Sequence, residues 1–128
     1  MPLASAMIDE FDTEMNTTRR LLERVPDAHH DWKPHPKSMS MGELAIHIAT
    51  LPQWGVSALQ GSEFDFQPEG APAWAPAKYS TAAETLQQFD AGIAAVRSGL
   101  AGTSDAAMGE AWTLKAGKHV IFTMPRAA

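Results

Sequence analysis

The chain is 128 residues long and has no cysteine, which excludes disulfides, thiolate nucleophiles and cysteine-held zinc. Apolar side chains make up 45% of it, enough for one packed core and too many for a disordered chain. The formal net charge of −5, with no run of Lys or Arg, argues against nucleic acid or an anionic membrane as partner.

The N-terminus, MPLASAMIDEFD, has neither a basic leader nor an apolar signal core, and no stretch approaches the roughly 18 apolar residues of a membrane span. The expected location is therefore cytoplasmic. From about residue 3 to 25, Ile8, Phe11, Met15, Thr18, Leu22 and Val25 recur every three or four positions, with charged residues on the other faces. That is the stripe of a bundle helix, ended by Pro26.

The connection that follows, DAHHDWKPHPKSM, gathers His29, His30, Asp31 and His35. Pro34 and Pro36 hold it extended, and no helical or strand register aims the imidazoles at one point. Density without convergence does not make a metal site. Trp32 is expected to anchor this segment on the bundle.

A second helix is expected over about 40–60. Ser40 and Glu43 form an S-x-x-E capping box, and Leu44, Ile48 and Leu51 share one face. His47 lies at the edge of that stripe and is the one candidate metal ligand. Pro52 removes an amide donor and predicts a kink. Residues 61–80, rich in Gly, Pro and Ala, read as a long loop whose aromatics Phe64, Phe66, Trp74 and Tyr79 dock it on the bundle; a lid is the alternative.

Thr81 and Glu84 repeat the capping box and open a third helix over about 81–101, with Ala82, Leu86, Phe89, Ile93, Val96 and Leu100 in step. The period then changes. Alternation around Trp112, Leu114 and Ala116, a turn at Gly117, and alternation around Val120, Phe122 and Met124 predict a hairpin or extended segment over about 111–124. Thr123, Pro125 and the closing Arg-Ala-Ala then signal the start of a further helix.

Together the blocks WKPHPKSMSMGELAIHIATLPQW, the 81–100 helix and AWTLKAGKHVIFTMPRAA make the chain resemble the DinB-like family of metal-dependent four-helix-bundle proteins. The resemblance implies a single domain over 1–128: an all-α, up-down-down-up bundle lacking its last helix, with a short β-hairpin near the C-terminus. It also implies a divalent metal, zinc or nickel, held by three histidines. His47 matches the ligand position of the second helix, whereas the H-x3-H pair of the fourth helix has no counterpart. His119, on a strand-like segment, does not replace it.

The implied activity is that of a relative of metal-dependent transferases or hydrolases, not metal-loaded in this form. The alternative is a non-catalytic helical interaction or binding module in which His47 is a core residue. No catalytic or cofactor-binding residue is assigned, and no bound cofactor is expected. A bundle short of one helix would expose an apolar groove, so a homodimer joined through the apolar edges of the three helices is expected.

Overall fold

The computed structural model describes residues 2–128. Helix α1 runs from Leu3 to Leu22, a 3-10 turn spans Asp27–His29, and α2 (Met41–Thr50) is followed at once by α3 (Pro52–Gln60). A short strand β1 (Glu63–Asp65) precedes α4 (Ala82–Ala101), a single-turn α5 (Asp105–Met108), β2 (Ala111–Ala116) and β3 (His119–Pro125).

Helix α4 is the hub, because α1, α2 and α3 all pack on it. Its stripe behaves as the periodicity demands, with Phe89, Val96 and Leu100 buried and Leu86 and Ile93 partly so. Two clusters make the core. Ala4, Val96, Leu100 and Met108 pack at one end, and Leu22, Ala45, Ala49 and Phe89 at the other. Two arginine forks tie α1 to α4: Arg19 grips both oxygens of Asp90 at 2.8 and 2.9 Å, and Arg97 grips both oxygens of Asp12. Each holds its carboxyl below the usual carboxylate range, chiefly by hydrogen bonding.

The helix starts are built by the predicted caps. Ser40 Oγ accepts from the Glu43 amide, and Glu43 Oε2 accepts from the Ser40 amide at 2.7 Å, a complete capping box. At α4, Thr81 Oγ1 accepts from the Glu84 amide, but the Glu84 carboxylate turns to the Ser80 hydroxyl instead. Pro52 interrupts the 40–60 helix as its missing donor requires. The Ile48 carbonyl accepts from the Leu51 amide in a tightened turn, and Pro52 becomes the first residue of α3.

The all-α expectation is corrected by a three-stranded sheet of order β1-β2-β3, which makes the fold mixed. The hairpin is there, β2 antiparallel to β3 across Gly117, which takes the left-handed φ of 60°. A bulge after Leu114 leaves Ile121 without a partner across the ladder. What the expectation lacked is β1, inside the presumed loop, which pairs in parallel with β2 as Phe64 opposite Leu114. Three residues in a Gly- and Pro-rich segment carry no periodicity, and their partner lies about fifty positions away. Asp65 closes the junction, accepting from the amides of Gln67 and Gly117 through Oδ1.

The loop docks through its aromatics. Phe64 meets Trp54 edge-on at 5.3 Å and Phe66 lies 6.2 Å from it, although Trp74 stays exposed. Tyr79 packs against the Leu22–Phe89 cluster and donates to Asp27 Oδ1 at 2.5 Å. Burial first and Asp27 second push its hydroxyl up to about 12. Trp32 is not the expected anchor: the residue is 56% exposed, and its carbonyl, accepting from the Met41 amide, does the tethering.

Candidate functional site

Apolar patterning leaves α2 with two faces that could be buried, and the structure chooses the small one. Gly42, Ala45, Ile46 and Ala49 are buried, so the expected inward stripe is corrected: Leu44 is 48% and Leu51 46% exposed. The reason is close approach. Small residues let α2 settle near α4, where bulkier leucines would hold it off. His47, between Leu44 and Leu51 on the outward face, is exposed, which corrects the reading of it as a core residue.

Helix α1 and the α2–α3 pair lean on α4 from two sides and leave a groove of about 560 Å³ between them. Met7, Phe11, Met15 and Thr18 of α1 form one wall. Ile48, Leu51, Pro52 and Leu59 form the other, and Phe89, Val96 and Leu100 of α4 lie at the base. At about 1.5 Å per residue, the α1 wall from Met7 to Thr18 is roughly 16 Å long, three helical turns. The volume is within the usual range for ligand pockets, about 300–1,000 Å³, and the lining is overwhelmingly apolar.

Polar groups reach the groove at two places. Glu10 and Glu14, exposed and one turn apart on α1, stand on its rim. Arg126 closes one end, and its guanidinium is committed to the fold. It donates to the carbonyls of Ala58 and Gly61, both at 2.9 Å, to the Ala107 carbonyl, and to Glu110. The side chain is only 8% exposed. Arg126 thus joins the end of the sheet to the C-termini of α3 and α5, satisfying carbonyls that a helix end leaves without partners.

An apolar groove between the helix stripes was expected, and Phe11, Met15, Ile48, Leu51, Phe89, Val96 and Leu100 of those stripes line it; its rim residues were not singled out. Met7, Glu10 and Glu14 recur at three and four positions along α1 beside the predicted stripe, and that was the available signal. The histidines stay apart. His30 stacks on Tyr79 at 5.3 Å, His35 Nδ1 accepts from the Lys37 amide, and His119 is exposed on β3. Among the described residues no three His, Asp or Glu side chains form a group that could hold a metal ion. The residues therefore do not fit the divalent metal implied by the resemblance. His47 alone would supply one ligand where catalytic zinc takes about three.

Fold and groove define an open-faced mixed α/β domain, with α1, α2 and α3 packed on α4 and a three-stranded sheet beside them. The chain belongs to the DinB superfamily, whose family model matches residues 10–126. No curated protein and no solved structure matches it. No helix among the described residues is long and apolar enough to cross a membrane.

Proposed function

We propose that this DinB-superfamily domain acts as a binding module whose groove takes one amphipathic helix of a protein partner. The observation that supports this most is the groove's shape: α1 and the α2–α3 pair wall it over α4, it is open along one side, and its wall is about three turns long. A helix laid between the two walls would cover their exposed apolar side chains, so a helix is the shape the groove fits. The anchors of a helix in a groove fall at i, i+3, i+4 and i+7, a rise of about 10 Å, which the wall accommodates.

The rim restricts which helix fits. Glu10 and Glu14 bring negative charge to a chain already at −5, so the incoming helix is neutral or basic along its flank. Two or three leucine-sized anchors would contribute about 1.5–3 kcal/mol each before the cost of association, so affinity depends on how many anchors engage.

The metal-dependent chemistry implied by the resemblance enters this reading only through position. His47 is exposed on α2 and is not among the residues that line the groove. The test is fluorescence anisotropy with a labelled helical peptide carrying leucines at i, i+3, i+4 and i+7 and lysines elsewhere. Saturable micromolar binding, lost on Phe11→Asp and kept on the distant Val120→Asp, is expected. Equal affinity for both variants would refute the groove.

A further inference from the structure

Helix α3 has a second cavity on its other face. Pro52, Gly55 and Leu59 turn to the groove, whereas Gln53, Trp54 and Ser57 turn the opposite way. With Phe64 of β1 and Trp74 of the segment before α4, they line a pocket of about 180 Å³. Phe64 and Phe66 dock on Trp54, but Trp74 is 53% exposed. Its backbone is nonetheless fixed. The Trp74 amide donates to Gln67 Oε1 at 2.9 Å, and Gln67 Nε2 donates to the carbonyls of Ala71 and Pro72 at 3.3 and 3.1 Å. The Gln67 amide donates in turn to Asp65, which also accepts from Gly117 at the hairpin turn. A network reaching into the sheet therefore holds the backbone of a tryptophan that the core does not bury. Order established before binding lowers the cost of binding.

The lining restricts the ligand. No Asp, Glu, Lys or Arg contributes to it. The carboxylates that flank Phe64 are engaged, Glu63 with Lys115 at 3.0 Å and Asp65 with the amides of Gln67 and Gly117. A charged ligand would lose water and find no counter-charge. A wholly apolar ligand would cover the Gln53 amide and the Ser57 hydroxyl without satisfying them. The Gln53 side chain offers both a donor and an acceptor. Ser57, whose hydroxyl donates to the Gln53 carbonyl at 3.3 Å, keeps lone pairs to accept with. Both demands are met by a neutral ring with C–H groups on its face and hydroxyls at its edge.

We propose that this pocket binds one pyranose sugar, its C–H face against the indoles of Trp54 and Trp74 and its hydroxyls towards Gln53 and Ser57. Indoles suit the task, since each presents a flat apolar face with a single N–H donor at its edge. Size agrees. The pocket has about a third of the groove's volume and falls below the range of about 300–1,000 Å³ that takes drug-sized ligands, so it holds a single ring. The site stands apart from the helix-binding groove and does not depend on it.

The indole N–H signals of isotope-labelled protein read the site directly, because the chain has four tryptophans and only Trp54 and Trp74 line the pocket. Titration with the methyl glycosides of glucose, galactose and mannose is expected to move those two signals on one saturable, millimolar curve for at least one sugar, while Trp32 and Trp112 stay in place. Trp74→Ala removes an exposed side chain and is expected to weaken binding at least about 10-fold, whereas Trp32→Ala leaves it unchanged. If Trp74→Ala folds poorly, the wild-type titration still decides. Signals that ignore every sugar, shifts confined to Trp32 or Trp112, or undiminished binding by folded Trp74→Ala overturn the proposal. So does a tetramethylammonium ion or an oligoproline peptide that moves Trp54 and Trp74 at lower concentration than any sugar. Equal affinity for a glycoside and its oligosaccharide identifies the free sugar as ligand, and a tighter oligosaccharide identifies the end of a glycan chain.

Discussion

Arg126→Ala tests whether the sheet is joined to the helices by one side chain. Arg126 donates to three backbone carbonyls at the ends of α3 and α5 and is almost fully buried. A hydrogen bond to a charged group is worth about 1.5–3 kcal/mol, and a buried carbonyl left bare costs a comparable amount. The three are not additive, because removing the guanidinium opens the groove end to water that re-solvates part of the site. The Glu110 pair, mostly exposed, adds little. The expected loss is about 3 kcal/mol, read as a lower urea midpoint at unchanged slope, or roughly 10 °C in melting temperature. Hydrogen exchange sharpens the assay, since the β2 and β3 amides should lose protection before those of α4. Arg126→Lys, reaching one or two carbonyls, should fall between. A loss under about 0.5 kcal/mol would refute the reasoning and place the sheet's attachment in Trp54, Phe64 and the α3 contact instead.

Three further outcomes follow. Gly42→Ala puts a methyl carbon 2.8 Å from the Tyr79 ring, which Asp27 holds in place, so about 1–3 kcal/mol should be lost despite alanine's better helix propensity; a gain in thermal denaturation would contradict the close packing. Asp12, Asp27, Glu43 and Asp90 titrate below their ordinary values, chiefly through hydrogen bonds from Arg97, Tyr79, the Ser40 amide and Arg19 respectively. Because the folded values lie below the unfolded ones, this stability is present above about pH 4 and lost as pH falls through the lowered values. Asp27→Asn should flatten the urea midpoint between pH 5 and pH 3 (roughly the acid window) relative to wild type, and an unchanged acid slope would count against the Asp27 network. Calorimetric titration with zinc should show no stoichiometric uptake, and a tight site abolished by His47→Ala would mean that ligands converge elsewhere than in this arrangement.

Sequence patterning reached the elements whose signal is local. The stripes of α1 and α4, the Ser40–Glu43 box, the break at Pro52 and the hairpin about Gly117 each rest on residues within one or two turns. It failed where the deciding contact is distant. Strand β1 is defined only by β2, so Glu63–Asp65 was indistinguishable from loop. On α2 both faces are apolar, and periodicity cannot say which turns inward; packing against α4 selects Ala45 and Ala49 over Leu44 and Leu51. That choice moved His47 outward and turned an expected inner ligand into an exposed residue. The groove itself is an absence between α1 and α2–α3, and Arg126, which shapes its end, is recognisable only once α3, α5 and β3 meet.

The groove's own methionines report on it most directly. Met7, Met15 and Met108 line it, whereas Met39, Met41 and Met124 do not. In methyl-labelled protein titrated with the helical peptide, the signals of Met7, Met15 and Met108 should move together and saturate with the anisotropy curve, while those of Met39, Met41 and Met124 stay in place. Saturable binding that shifts Met124 or Met39 and leaves Met7 and Met15 unmoved would contradict a helix-binding groove.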